Sequence, residues 1–426
     1  MLRAADAALR LSPGAPDLLF ARTRALFLIG QLKGAEASAN ALWASHSAEP
    51  VLQGLPECVA RSLLSASYYE QARPWLRIAL SIRPSKELKA LWERIRLPAY
   101  LKPEEFDRSS GETVLRYAPR ESSNYVYAID VVGTCNLACP SCPVANSDDQ
   151  ARAKGTMSVE LFTEILTKIS AECPDKTPEI WLYNWGEPLL HPQLATLIGL
   201  VRDLGLRCML SSNLNYDRGL LQLEQALPDV IKISLSGFAP GTYERSHTGG
   251  DIERVKRNMR RLAEIQSSST QACEVWVGHH LYRHNFHERD EVRRFCEELG
   301  FRWQPVQAFW QPSEKLVELK ESNTLSDSLL QELLVNPIDN ARHVREYRQK
   351  AYDCELRFNQ TTINVDGSVS LCCSTYSMEN RLPQAFLDAS HAEISAAKYR
   401  HDFCSTCRKH GFDYSISRLP ETVRAE

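Results

Sequence analysis

The sequence predicts an α/β protein with a parallel, partial-barrel core, an all-helical N-terminal region and a small cysteine-bearing C-terminal module. Three observations lead there. Six apolar, β-rich runs, YVYAIDVV, EIWLYNW, LRCMLSSN, VIKISLSGF, CEVWVGHHLY and FRWQPVQAF, alternate with amphipathic helical stretches such as SVELFTEILTKIS and DIERVKRNMRRLAEI. Alternation at this spacing is the mark of β/α units around a parallel sheet. Residues 1–100 carry no such runs and read as helices throughout. The 13 cysteines, an odd number, crowd mainly into two short stretches, which suits metal ligation better than a disulfide framework.

In the N-terminal region, Ala8-Leu9-Arg10-Leu11-Ser12-Pro13 is echoed by Ala79-Leu80-Ser81-Ile82-Arg83-Pro84. Gly30 is followed five residues later by Ala35, and Ser67 by Ala72, small residues that let paired helices approach closely. A proline then closes the second helix of each pair. The pattern resembles degenerate tetratricopeptide repeats spaced about 34–37 residues apart. The first repeat is cut in half, so upstream sequence is expected. A generic helical bundle is the plainer alternative. Residues 98–124, with Pro98, Pro103 and Pro119, read as a linker. The expected organisation is a helical-repeat domain over 1–97, that linker, a core over 125–325 and an auxiliary module over 326–426.

No run of 18 or more apolar residues exists, so no membrane helix is expected. The first residues lack the apolar stretch of a signal peptide, and the expected location is cytoplasmic, where thiols stay reduced. A formal net charge of −3 offers no global basic field, so nucleic acid is not an expected partner.

The first cysteine group follows the first strand in VVGTCNLACPSCP, with Cys135, Cys139 and Cys142 spaced C-x3-C-x2-C. Three thiolates on one loop can hold three irons of a [4Fe–4S] cluster and leave the fourth open to a small molecule. A structural zinc site would want a fourth ligand nearby, and none is evident. Trp185-Gly186-Glu187-Pro188 ends the second run. Glu187 offers an acceptor to an ammonium group, and Gly186 permits close approach. Ser211-Ser212-Asn213 ends the third run, and Ser234 and Ser236 end the fourth, at the carboxyl strand ends where parallel sheets hold ligands.

Together these residues resemble the radical S-adenosylmethionine (SAM) superfamily, over roughly residues 125–412. The resemblance implies a partial (β/α)6 barrel and a cluster on Cys135, Cys139 and Cys142 that passes an electron into SAM. Cleavage then yields a 5′-deoxyadenosyl radical that takes a hydrogen atom from substrate. It assigns Gly186 and Glu187 to the SAM amino group, and Ser212, Asn213, Ser234 and Ser236 to the ribose and carboxylate. It implies a one-electron donor such as flavodoxin or ferredoxin. In one respect the sequence departs: many family members have an aromatic residue immediately before the third cysteine, where Ser141 stands.

The second group comprises Cys354, Cys372, Cys373, Cys404 and Cys407, around a hairpin, TTINVDGSVSLCC, with Asp366-Gly367 at its turn. It resembles the twitch module, the short form of the SPASM extension, in which four cysteines hold an auxiliary [4Fe–4S] cluster. Cys354, Cys372, Cys404 and Cys407 are the expected ligands. Cys373 competes with Cys372, because strand alternation points the two in opposite directions. A zinc ribbon with the same ligands is the alternative. An auxiliary cluster favours an oxidation, and the helical repeats favour a peptide or carrier-protein substrate. Rival readings are a small-molecule dehydrogenase or epimerase acting on a sugar or amino-sugar, and a repeat scaffold with a merely structural or electron-carrying cluster.

Catalytic side chains beyond these are not identified. His279, His280, Tyr282, His284 and His287 crowd the end of the fifth run and could meet SAM or substrate, though polar strand ends are common. Cys208 and Cys273 read as core thiols, with hydrogen-atom donation as a minor alternative, and Trp303 and Trp310 as core or pocket wall.

Overall fold

The computed structural model describes residues 2–95 except 30 and 66–68, residues 124–322 except 148, 150, 174 and 175, residues 332–334, 337, 338 and 341, and residues 354–413. The expected linker, apart from Asn124, and much of 326–353 lie outside the described residues. The chain divides into two compact units, Met1–Ala99 and Tyr100–Glu426.

The first unit is helical: α1 (Leu2–Leu11), α2 (Pro16–Leu28), α3 (Leu32–His46), α4 (Leu55–Ser65), α5 (Tyr69–Ile82) and α6 (Lys86–Ile95). Pro13 and Pro84 stand just beyond α1 and α5, where each helix must stop. Ala35, Ala39 and Ala72 are fully buried in one core with Leu52, Leu55, Val59 and Leu76. Alanine at these contacts lets helix backbones draw together at little side-chain entropy cost.

The second unit is built on a nine-stranded sheet in the order β6-β5-β4-β3-β2-β1-β7-β8-β9. Its strands are β1 (Asn124–Ile129), β2 (Thr177–Trp181), β3 (Arg207–Ser212), β4 (Val230–Leu235), β5 (Glu274–Leu281), β6 (Arg302–Gln307), β7 (Gln360–Ile363), β8 (Ser368–Ser370) and β9 (Arg381–Ala385). The first six are parallel and lie in chain order. Each of the six expected runs forms one of them. Helices α7 (Pro143–Asn146), α8 (Val159–Glu172), α9 (Leu194–Asp203), α10 (Asp217–Gln225), α11 (Pro240–Tyr243), α12 (Ile252–Ser268), α13 (Arg289–Glu298) and α14 (Ser313–Ser322) fall between and after these strands. Ser158 caps α8 through Leu161 N, and Asp251 caps α12 through Glu253 N and Arg254 N. Isoleucine, leucine and valine at alternate strand positions pack with these helices: Ile231, Ile233, Val275 and Val277 share one core with Val292 and Phe295. The intervening residues point to the other, inner face.

The expected hairpin forms as β7 and β8, antiparallel, with Gly367 at φ +80° in its turn. Its first strand pairs in parallel with β1. The C-terminal segment therefore extends the core sheet directly. Helices α15 (Glu355–Phe358), α16 (His391–Arg400) and α17 (Asp402–His410) complete it.

Candidate active site

The cysteine loop leaves the end of β1 and is held from several directions. Gly133 N donates to Gly155 O at 2.8 Å and Ala138 N to Thr248 O at 2.9 Å. Asn146 Nδ2 donates to the carbonyls of both Cys139 and Cys142 at 2.8 Å, closing the loop on the first turn of α7. Cys135 Sγ accepts from Leu137 N at 3.5 Å and Asn213 Nδ2 at 3.6 Å. Burial pushes the Cys135 thiol up to about 11 and the Cys139 thiol up to about 12, where Cys142 and Cys135 add to it. Cys142 is raised as well, chiefly by burial.

The Gly186-Glu187 pair sits against the root of this loop. A Cβ on Gly186 would fall 1.7 Å from Val132 O, so no side chain fits there. Glu187 N donates to Thr134 O at 2.9 Å. The Glu187 carboxylate is buried and accepts from Leu189 N at 3.0 Å and Asn213 N at 2.8 Å. Burial outweighs these bonds and pushes Glu187 up to about 7. Asn213 thus touches Glu187 through its backbone and Cys135 through its side chain, and it joins the ends of β1, β2 and β3. The next residue, Leu214, takes a positive φ of 53°. A buried leucine in that conformation carries strain of about 1–3 kcal/mol, a feature concentrated at functional sites.

The expected serines fall on different sides. Ser212 turns toward the helix face, where its Oγ accepts from Leu214 N at 3.0 Å and bonds Glu187. Ser234 is on the inner face, with its Oγ 3.5 Å from that of Ser211. Ser236 is buried, and its carbonyl accepts from Ser246 Oγ at 2.7 Å. Of the β5 group, Tyr282 Oη reaches Ser141 Oγ at 3.4 Å, so an aromatic ring from another element lies beside the position where the sequence lacks one. His279 is fully buried on the helix side with Trp303 Nε1 at 3.4 Å from its Nδ1. His284 pairs with Glu332, which also holds Arg245. Trp310 packs in a separate core with Tyr282 and Phe412. Cys208 is buried on the helix side of β3, and Cys273 lines a recess of about 610 Å³ with Arg207, Asp229 and Glu274 at the opposite strand ends. Neither is near the cysteine loop.

The second group also assembles. Cys404 and Cys407 lie three residues apart on α17 and so share a face. Burial raises Cys407 well above the ordinary thiol range, with Asp413, Cys354, Cys372 and Cys404 adding to it. Cys373 instead faces Gln360 and Lys398, and burial pushes it up to about 11. Lys398 is a residue that sequence reasoning passed over. It is almost wholly buried and donates to Gln360 O. Burial pulls its amine down to about 8 against the upward influence of Cys372, Cys404, Cys354 and Cys373.

A buried ion pair ties the two regions together. Arg152 Nη2 lies 3.3 Å from Asp130 Oδ2 and donates to Asn364 Oδ1, while its Nη1 donates to Tyr376 O. Asp130 Oδ1 accepts from Gly186 N at 2.9 Å and Trp185 N at 3.3 Å.

Residues 129–296, the segment that holds Cys135–Cys142, Glu187 and Asn213, match the family model described as the Radical SAM superfamily. Over that segment the chain is similar to the radical SAM superfamily. Curated relatives include AdoMet-dependent heme synthases of Nitratidesulfovibrio vulgaris, 23% identical over 176 residues, and of Oleidesulfovibrio alaskensis, 26% identical over 185 residues. The first match covers 41% of this chain and 45% of the relative, the second 41% and 42%. A probable GTP 3′,8-cyclase of Methanococcus maripaludis is 24% identical over 33% of this chain and 45% of its own. The chain thus spans less than half the length of the curated relatives it matches. Among solved structures, Streptococcus suis SuiB bound to its precursor peptide SuiA is 12% identical, with a TM-score of 0.44 and 80% of each chain covered. An anSMEcpe structure with bound AdoMet is 14% identical, with a TM-score of 0.41 over 68% of this chain and 82% of that one.

A radical SAM domain implies a [4Fe–4S] cluster and SAM. The residues present fit both. Three half-buried thiols on one braced loop supply a donor set for iron, and the side-chain-free approach at Gly186 brings a buried carboxyl beside them. Among the described residues, no three His, Cys, Asp or Glu side chains converge on a single ion, whereas a four-iron cluster takes its thiolates around a larger body.

Proposed function

We propose that this chain is a radical SAM enzyme that oxidatively modifies a peptide or protein side chain. Asn213 carries the reading, since it bridges Cys135 Sγ and the Glu187 carboxylate and so brings the cysteine loop and the amino-group acceptor into one site. Cys135, Cys139 and Cys142 would hold the cluster, which with bound SAM supplies an electron and a 5′-deoxyadenosyl radical. Glu187 would accept from the SAM amino group, and Gly186, Asn213 and Ser234 would line the rest of its bed, with Ser212 and Ser236 behind. Tyr282, beside Ser141, would wall the adenine side. The inner face of the sheet would keep water from the reacting carbon and align one C–H bond.

Cys354, Cys372, Cys404 and Cys407 would hold an auxiliary [4Fe–4S] cluster able to take the electron that an oxidation releases. The mutual proximity of the four thiols supports this, and the turn of Cys373 toward Gln360 supports Cys372 as the ligand. The helical N-terminal unit supports a peptide or carrier-protein substrate. A small-molecule substrate is the second reading, supported by the heme synthase and GTP cyclase names of the curated relatives.

Anaerobic reconstitution should load about eight irons per chain if both sites hold four-iron clusters. With reductant, the protein should form 5′-deoxyadenosine from SAM, and replacing Cys135, Cys139 and Cys142 by alanine should abolish it. Persistent cleavage in that triple variant would sink the assignment. A precursor-peptide gene beside this one would favour the peptide substrate, and sugar-biosynthesis genes the small molecule.

A further inference from the structure

The inner face of β4, β5 and β6 holds a lysine amine that the chemistry above does not use. Lys232, Ser234, Trp276, Gly278 and Gln304 alternate with the helix-facing residues of these strands. Their register sets Lys232 beside Trp276, Ser234 beside Gly278, and Gly278 beside Gln304. A Cβ on Gly278 would lie 2.7 Å from Lys232 Cε and 3.7 Å from its Nζ. The lysine therefore lies over β5 in the space that the glycine leaves, and the same glycine stands opposite Gln304 in the strand register. Gln304 is 5% exposed, and neither its Oε1 nor its Nε2 has a partner among the described residues. A buried primary amide with no hydrogen bond is costly and points to a missing ligand.

No carboxylate among the described residues pairs with Lys232, whose amine is pulled down by burial alone. His280, next along the inner face, is pulled down to about 3 by burial, with Lys232 adding to it, so its imidazole is neutral. Arg302 stands over the Trp276 ring at 5.5 Å, at an exposed strand start. One ammonium and one amide N–H, separated by a glycine, match the two oxygens of a monoanion. A phosphate would bring a second charge with nothing to meet it.

We propose that Lys232 and Gln304 bind a carboxylate of the substrate on the inner face of β4–β6, with the ammonium on one oxygen and the amide on the other. This rests on the inner face being the reaction chamber. Formation of 5′-deoxyadenosine tests that separately, so either statement can fail alone.

Propionate and capped glutamate amide are the probes, titrated by calorimetry into the reconstituted full chain with SAM and no reductant. Both should bind, while propanamide and inorganic phosphate should not. Tighter binding of capped glutamate would place the carboxylate on a peptide, and tighter propionate on a free small acid. Lys232→Met should weaken binding about tenfold or more, the cost of removing one partner from a buried charge pair. Gly278→Ala keeps the lysine but displaces it toward a flexible end, and it should weaken binding several-fold with the fold intact. SAM affinity should be unchanged in both variants. The proposal is overturned if propionate binds no better than propanamide, if binding survives Lys232→Met, or if phosphate binds equally well. It is also overturned if SAM affinity falls in step with propionate affinity, which would assign the lysine to the carboxylate of SAM.

Discussion

At Glu187, two backbone N–H groups converge on one buried carboxyl, and burial still holds it at about 7. Its folded value lies above its unfolded one, so ionising it costs stability as pH rises from the unfolded value through about 7. A bound ammonium or amine would favour the ionised form. SAM affinity should therefore climb between pH 6 and pH 8, and equilibrium dialysis of the reconstituted protein would measure it. Glutamine has one acceptor oxygen where the carboxylate has two. Glu187→Gln should lower SAM affinity about tenfold or more, the usual cost of a lost bond to a charged group, and flatten the pH dependence. Iron content should stay the same, because Glu187 is not among the thiol donors. An unaltered SAM affinity would remove Glu187 from the site.

Between elements, the contact that fixes the site is the approach of the β2 end to the β1 end. Gly186→Ala would drive a methyl group into Val132 O, which is backbone and cannot rotate aside. The expected cost is about 1–3 kcal/mol of stability together with loss of iron, read by thermal unfolding and iron assay. The Asp130–Arg152 pair behind it is wholly enclosed. Arg152→Met strands a buried carboxylate that still faces the Gly186 and Trp185 amides, at about 3–5 kcal/mol. Adding Asp130→Asn should recover part of that loss, and a double variant no better than the single would show that the pair is not coupled. The strands, the hairpin and the cysteine loop were legible because each is local: apolar runs, an Asp-Gly turn, a fixed cysteine spacing. The pairing of β7 with β1 was not, since Thr362 and Ala128 meet only when distant segments fold together. Lys232 was hidden for a related reason. Inside VIKISLSGF it reads as one polar residue of a strand, and only the glycine on the adjoining strand reveals where its head lies.

Across the whole second unit, the two cysteine groups lie on loops and a helix that flank one continuous sheet, and the path between them runs through buried polar contacts. Trp185 Nε1 donates to Thr375 O, beside the Cys372 turn, while its backbone N donates to Asp130, which neighbours the first loop. Arg152 completes the bridge by stacking over Tyr376 at 4.5 Å. Such a frame allows the groups to bind iron independently, because each loop has its own braces: Asn146 for the first, the capping box of Ser390 and Glu393 and the αL end at Gly411 for the helices of the second. A Cys404→Ala/Cys407→Ala variant should then hold about four irons instead of about eight, and it should still form 5′-deoxyadenosine with reductant and SAM. On the proposed function, in which the second group takes the electron released from substrate, substrate oxidation should fall away. Zinc in place of iron at the second site, found by elemental analysis of the native protein, would make that module structural. Loss of SAM cleavage in the same variant would show instead that the second group governs the first through the shared sheet.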